Sequence, residues 1–256
     1  VRKLSVLLVS MMTLALLPSP AGAITNGEVD DDARYPFVGM LAFYDGDGGY
    51  LHRCSGTLVS RTVVVTAAHC ADGTASARAY FDVEVTDDFR NDPATGATGT
   101  PFTHPAYNPR TIDNDVAVVV LDAPGSVPGP YPDLPPEGFL SERKRSKETK
   151  DDVFVAVGYG GVPGFPPPNI DFDLLRRFAT SDYGGLTPQN LHLQQNPNPS
   201  EAGGTCFGDS GGPHFWEDTL TLVSVTSWGD AICRSNDMTQ RLDLPSTRNF
   251  VSAFLD

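Results

Sequence analysis

Gly208-Asp209-Ser210-Gly211-Gly212-Pro213 sets a serine between glycines, with an acid directly before it. Glycine adopts backbone conformations closed to other residues and leaves room for a substrate to come close. A turn of this kind can expose a serine oxygen and aim neighbouring backbone N–H groups at one point. Those are the two requirements of acyl transfer, a nucleophile and a site for the oxyanion. Taken alone, a glycine-rich turn with Ser and Asp is a common loop. The reading depends on whether the remaining chain supplies a base, an acid to orient it and a scaffold to hold them.

A serine hydroxyl is a poor nucleophile near neutral pH and needs a base in hydrogen-bond reach, for which histidine is suited. The chain has five histidines, His52, His69, His104, His192 and His214. His69 lies in Thr66-Ala67-Ala68-His69-Cys70, just after the apolar run Val63–Val65. A strand that ends in small residues beside a disulfide is a rigid mount for a catalytic side chain. The third member must be a carboxylate that fixes the imidazole's tautomer and stabilises its cation. Asp115 opens Asp115-Val116-Ala117-Val118-Val119-Val120-Leu121, where an acid at the mouth of a buried strand is desolvated and needs a partner. Locally, His69 reads as a surface histidine and Asp115 as a turn acid. The order His, Asp, Ser along one chain gives them weight together.

The scaffold reads as all-β. Phe37–Phe43, Gly56–Val59, Thr62–Ala67, Ala79–Val85, Val116–Leu121, Val153–Val157 and Leu220–Trp228 are rich in β-branched or aromatic residues, with Gly, Pro, Asn and Asp between them. Helical periodicity is confined to the end, where Ser246 is expected to cap a short helix over 246–255 bearing Phe250, Val251, Phe254 and Leu255. Residues 123–152 are irregular, Pro/Gly-rich at first and then mixed in charge, and read as a connection between a barrel at about 37–122 and another at about 153–244. Arg143, Lys144, Arg145, Lys147 and Lys150 form a basic cluster, but Glu142, Glu148, Asp151 and Asp152 dilute it, so a solvated loop is expected and not a docking patch.

Residues 1–23 read as a secretory signal: basic Arg2 and Lys3, a mostly apolar run from Leu4 to Leu17, then Ala21-Gly22-Ala23 for cleavage. The expected mature chain is 24–256, exported, with no stable membrane anchor. Val1 in place of Met fits a non-standard start codon, hence a bacterial source, or a trimmed chain. The formal charge of the whole chain is −14, and cleavage would deepen it by two, which argues against nucleic acid and anionic membranes as partners.

The four cysteines, Cys54, Cys70, Cys206 and Cys233, suggest two disulfides in an exported chain. Of the three pairings, the local one, Cys54–Cys70 with Cys206–Cys233, is preferred, each bridge adding roughly 3–4 kcal/mol in the chain-entropy model. A zinc site from His52, Cys54, His69 and Cys70 is the alternative, but those residues lack the usual two-to-four-residue ligand spacing.

Thr66-Ala67-Ala68-His69-Cys70, Asp115-Val116-Ala117-Val118 and Gly208-Asp209-Ser210-Gly211-Gly212-Pro213 together resemble the three signature blocks of the chymotrypsin/trypsin-like serine proteases, in that family's order. Ser227-Trp228-Gly229 is similar to its substrate-backbone strand, and the likeness runs from Ile24 to the C-terminus. The resemblance implies two six-stranded antiparallel β-barrels with the active site between them, a short C-terminal helix, and the same two disulfides. It implies a secreted serine endopeptidase with Ser210 as nucleophile, His69 as base and then acid, and Asp115 as orienting acid. The N–H groups of Gly208 and Ser210 would form the oxyanion hole. Ser227 would support Asp115, and Ser227 and Gly229 would offer backbone groups to substrate. Ile24 would carry a new N-terminus whose ammonium pairs with Asp209, and cleavage directly before it would make export itself the activating step, although Thr25 stands where the family has Val.

The resemblance also places Gly204 at the floor of the specificity pocket, beside Thr205. A neutral floor with Gly229 at the entrance favours a large apolar residue or broad preference before the scissile bond. Asp237, with Asp230 nearer the rim, would instead attract Lys or Arg if it reached the pocket's far wall. The partners implied are protein or peptide substrates and protein protease inhibitors; neither metal nor organic cofactor is called for, and the chain is expected to be a monomer. Two rival readings fit parts of the sequence. Gly208-x-Ser210-x-Gly212 also fits the nucleophile elbow of α/β-hydrolases, but that fold needs its histidine well after the serine, and here only His214 follows. A non-catalytic binding protein on the same fold is the other, and the retained His, Asp and Ser count against it.

Overall fold

The computed structural model describes residues 24–163, 169–196, 202–217 and 219–255. The expected signal segment, 1–23, lies outside them. Fifteen strands are described, and twelve of them build two closed barrels. The first barrel uses β2 (Val38–Tyr44), β3 (Tyr50–Leu58), β4 (Val63–Thr66), β5 (Ser76–Tyr80), β6 (Ala97–Thr103) and β7 (Ala117–Leu121), in the order β2-β3-β4-β7-β6-β5. The second uses β8 (Val153–Gly158), β11 (Arg177–Leu186), β12 (Asn190–Gln194), β13 (Pro213–Trp216), β14 (Leu222–Gly229) and β15 (Asn236–Arg241), in the order β8-β11-β12-β15-β14-β13. Every pairing within the barrels is antiparallel. The short β1 (Glu28–Val29) adds to the edge of β11, and β9 (Val162–Pro163) pairs with β10 (Ile170–Asp171).

The valine runs explain why the first barrel closes where it does. Val63, Val64 and Val65 of β4 and Val118 and Val119 of β7 are at most 2% exposed, so both faces of these strands are covered. Full burial of such a side chain contributes roughly 1.5–3 kcal/mol relative to exposure. The core they belong to also takes in Val155, Val157, Phe215 and Leu222 of the second barrel, so the two barrels share one apolar interior. Tyr35 stacks on Phe215 at 5.7 Å, and Phe37 meets the same ring edge-on.

A polar clamp crosses the same interface. Arg176, 1% exposed, donates to Asp30 Oδ2 at 2.8 Å, to the carbonyl of Phe81 at 2.8 Å and to Tyr159 Oη at 3.1 Å. The pair joins the segment that follows Ile24 to both barrels. Buried charges of this kind need full pairing, because removing one partner strands the other at several kcal/mol.

Helices differ from expectation in two places. The segment expected to be a solvated connection contains α2 (Phe139–Ser146) and a 3-10 turn at Thr149–Asp151. The reason is local: Leu140 is fully buried against Phe154, Leu191, Leu193 and Val223, and its N–H donates to Asp243 Oδ2 at 2.9 Å. The basic cluster is partly neutralised in place, with Arg143 Nε bound to Asp152 at 2.8 Å. The C-terminal helix α3 spans Pro245–Ser252, with Pro245 in its first turn and Leu244, not Ser246, at its N-cap. Ser246 Oγ turns instead to Asn114 Oδ1 at 2.9 Å and His104 Nε2 at 3.1 Å. Val251 of α3 is buried, and Phe250, Phe254 and Leu255 pack on the shared core.

Candidate active site

Strand register brings two of the site's side chains together. β4 and β7 pair with Thr66 opposite Ala117. His69 lies three residues beyond Thr66, in the single turn α1 (Ala68–Ala71), and Asp115 lies two residues before Ala117. The two therefore emerge side by side at the same end of the barrel. Asp115 accepts from His69 twice, from the backbone N–H at 2.8 Å and from Nδ1 at 2.8 Å. The Ser227 hydroxyl makes a third, short bond to Asp115 Oδ2. Asp115's own N–H is held by Gln240 Oε1 at 3.0 Å. Asp115 has no exposed surface, whereas the His69 side chain is 29% exposed. An ionised carboxylate only accepts, so the imidazole proton sits on Nδ1 and Nε2 is left as the open acceptor.

The turn that carries Ser210 is pinned on both sides. Gly208 and Gly211 have φ of 98° and 75°, in the left-handed region that glycine tolerates. A side chain at Gly211 would collide with Thr66 Oγ1 and the N–H of Ala67, so this glycine lets the turn approach the strand end that carries His69. Ser210's carbonyl accepts from the N–H of Ser55 at 2.9 Å, and the N–H of Gly211 donates to Thr226 at 2.8 Å. Among the described residues, no protein acceptor takes the N–H of Gly208 or of Ser210. Ser210 Oγ and His69 are not hydrogen-bonded to one another here; bonds of this type often tighten only when substrate is present.

Asp209 faces away from Ser210 and is fully buried. Burial pushes its carboxyl up to about 7, against the pull of the N–H groups of Cys206 and Gly160 and the charge of Arg53. Those N–H groups lie 2.9 and 2.7 Å from its oxygens, and a side chain at Gly158 or Gly160 would collide with it. Ile24 is also fully buried, packed with Ala156 and Ala179. Thr25 follows as a bridge to Gly204, with N–H···O bonds of 2.7 and 3.0 Å.

A cavity of about 220 Å³ opens beside Ser210, lined by Thr205, Phe207, Ser227, Trp228 and Gly229 among others. Trp228 is 51% exposed and Phe207 54%. Two residues expected in this pocket lie elsewhere. Gly204 is buried against Gln195, which occupies the place a side chain there would need. Asp237 pairs with Gly229 across the strands, yet its carboxylate has no exposed surface and lies 3.0 Å from Nε2 of the equally buried His214. Asp230 binds the N–H groups of Arg234, Ser235 and Asn236, and although burial acts to raise its carboxyl, these donors outweigh it and hold it below the ordinary range. It closes a loop and also lines the cavity beside Ser210, at the rim where it was expected. Gln240, His214 and Ser55 are polar residues that no local motif marks in the sequence.

Both local disulfides are present, Cys54–Cys70 and Cys206–Cys233. The one set of metal-competent side chains among the described residues is Cys54, His69 and Cys70, whose sulfurs are bonded to each other, so the zinc alternative does not fit. His52 Nε2 instead meets the carbonyl of Cys70 at 2.7 Å.

Two closed six-stranded barrels with this histidine, aspartate and serine at their junction define a trypsin-like serine endopeptidase fold. The trypsin family matches residues 24–243, and the chain belongs to it. It is 30% identical to a trypsin of Simulium vittatum over 84% of this chain and 86% of that one. It is 27% identical to a trypsin of Saccharopolyspora erythraea, over 82% and 88%. These relatives do not confirm the bacterial source suggested by Val1. Among solved structures, HL collagenase superposes with a TM-score of 0.64 at 19% identity, covering 86% of this chain and 93% of that one. Human heparin binding protein superposes with 0.62 at 18%, covering 89% and 94%. At such identities these two show the fold alone. The chain is a serine-type endopeptidase that acts on proteins or peptides. No helix among the described residues is long and apolar enough to cross a membrane.

The buried Asp209 makes stability depend on pH in a defined sense. Its unfolded carboxyl titrates near 3.9. Between about pH 4 and 7 the unfolded chain has lost this proton while the folded chain, with a raised carboxyl, keeps it. Stability therefore falls as pH rises through that window, by an amount on the order of 4 kcal/mol, and stays low above it. Urea denaturation of the chain with residues still attached before Ile24 is expected to show this slope. Asp209→Asn, which cannot ionise, is expected to remove it; an equal slope in the two proteins would contradict the assignment.

Proposed function

We infer that the chain is an exported endopeptidase that cleaves peptide bonds through an acyl-enzyme on Ser210. The observation that supports this best is the pairing of a buried Asp115 with His69 Nδ1 beside two unclaimed N–H groups at Gly208 and Ser210. In this reading Ser210 Oγ attacks the substrate carbonyl carbon while Nε2 of His69 takes its proton. The carbonyl oxygen becomes an oxyanion held by the two N–H groups. Collapse of the tetrahedral species breaks the C–N bond, and Nε2 returns its proton to the leaving amine. Water then enters with the roles repeated, and the acid product leaves with Ser210 restored. Asp115 fixes the imidazole's tautomer and stabilises its cation, and Ser227 and Gln240 hold Asp115. Ser227, Trp228 and Gly229 form the wall along which an extended peptide lies.

The activating step in this reading is a free amine at Ile24. Its ammonium would supply the charge that the buried Asp209 lacks; the burial of Ile24 against Ala156 and Ala179 and the Thr25–Gly204 bridge support this reading. Protein inhibitors that present a substrate-like loop are expected partners.

For specificity, the pocket walls are mostly uncharged and its mouth carries Phe207 and Trp228. Asp237 is committed to His214 behind them. A large apolar residue, or broad preference, before the scissile bond follows, driven by roughly 25 cal/mol per Å² buried. The relatives named trypsin favour a second reading, cleavage after Lys or Arg with Asp237 as the attracting charge.

A fluorophosphonate probe is expected to label Ser210 in the wild type and not in Ser210→Ala, whose turnover falls to a residual acceleration over water of about 10³. Turnover of the wild type that survives Ser210→Ala would reject the reading. A peptide library run on wild type and Asp237→Ala decides specificity. Apolar preference in both is expected, and strict Lys/Arg cleavage that disappears in Asp237→Ala would establish the second reading.

A further inference from the structure

We propose that Ser55 is a positioning residue for the oxyanion site, a hydroxyl on the first barrel that fixes a peptide of the second barrel's nucleophile turn. The proposal rests on the reading of Gly208 and Ser210 as that site. Ser55 lies on β3 with no exposed surface. Its hydroxyl donates to the carbonyl of Gly208 at 3.0 Å and accepts from the N–H of Tyr159 at 3.1 Å. Its own N–H donates to the carbonyl of Ser210 at 2.9 Å, and its carbonyl takes the Thr66 hydroxyl at 2.9 Å. One residue thus holds the carbonyls on both sides of Asp209, from a strand that also ties to the end of β4, three residues before His69.

The turn needs such a tie. Gly208 sits at φ 98°, and a glycine has more conformations available than any other residue. Peptide planarity means that fixing the Gly208 carbonyl fixes the whole Gly208–Asp209 plane. The Gly208 N–H is then only the two torsions of Gly208 itself, ψ and φ, away from a fixed plane. The Ser210 N–H is held from its other side, through the Ser210 carbonyl. Among the described residues no other side chain donates to the Gly208 carbonyl. The space around the hydroxyl is closed: a side chain at Gly158 would come 3.1 Å from Ser55 Oγ, and one at Gly212 would come 3.2 Å from its Cβ. Deleting the hydroxyl leaves the Gly208 carbonyl and the buried Tyr159 N–H without their partner, a cost met most easily by rotation of the glycine peptide.

The test compares wild type with Ser55→Ala in the secreted protein. It reads kcat and KM on a peptide amide. It also reads affinity for a peptidyl aldehyde, whose hemiacetal oxygen occupies the oxyanion site, and for an uncleaved peptide competitor, which does not use that site. The expected result is a fall in kcat of about 10–100-fold, less than the 10²–10³ typical of losing a donor outright, with KM within about twofold. Aldehyde affinity falls by a similar factor and competitor affinity holds. Unchanged kcat, or competitor affinity falling in parallel, would overturn the proposal. If Ser55→Ala does not fold, Ser55→Cys fills the same space with a weak donor and is expected to show the same split at smaller size; an equal loss of both affinities overturns the proposal there too. A wild type that the fluorophosphonate does not label at Ser210 rejects the underlying reading. A labelled wild type with unaltered Ser55→Ala rejects Ser55 alone.

Discussion

A carboxylate with no exposed surface has to be met by donors, and Asp115 is met by three: the His69 backbone, His69 Nδ1 and Ser227 Oγ. Desolvation makes each of them costly to lose. The arrangement needs the ends of β4 and β7 beside each other in one register and the middle of β14 close by. Two barrels that share an apolar core provide that, and Gln240 on β15 adds the support of Asp115's own N–H. The polar site and the apolar interior are therefore one construction. Valine packing sets the register, and the register sets which imidazole nitrogen is free.

The second constraint is the buried Asp209. Two backbone N–H groups satisfy its oxygens, but no cation lies within ion-pair distance among the described residues, and its carboxyl is pushed up to about 7 by burial. A chain under that tension is ready to be changed by a new positive charge. Arg176, Asp30 and Tyr159 lock the neighbouring segments from the other side, and the carbonyl of Tyr159 is itself held by Arg53 at 2.9 Å. Ser55 joins this network to the turn that carries Ser210.

Much of the fold was legible because apolar strands announce themselves. The runs at Val63–Val65, Val118–Val120 and Val153–Val157 all lie in strands, and the expected double barrel was found. Two of the strands missed, β15 and β6, have a buried face that is polar or broken, whereas β12 is short but buries Leu191 and Leu193 on one face. β15 reads Asn-Asp-Met-Thr-Gln-Arg, yet Asp237, Thr239 and Gln240 are fully buried: Thr239 bonds to Leu191 and Ser224, Gln240 to Gln189 and Asp115, and Asp237 lies beside His214. β6 carries Gly99 and Pro101 and gave no alternation. α2 hid behind a run of charge because a single leucine, Leu140, anchors it. At the site, His69, Asp115 and Ser210 were legible from three short blocks. Gln240, His214 and Ser55 were not, since each acts through a contact distant in sequence, such as the 125 residues between Asp115 and Gln240.

The central claim is that Asp115 fixes His69 as a base with its free nitrogen toward Ser210. The kcat of Asp115→Asn measures this most directly, with KM and thermal midpoint read in the same protein. The account predicts a fall in kcat on the order of 10⁴ with KM little changed, because an amide can hold the ring in the wrong tautomer. A folded Asp115→Asn protein that keeps kcat within about tenfold of wild type would contradict it.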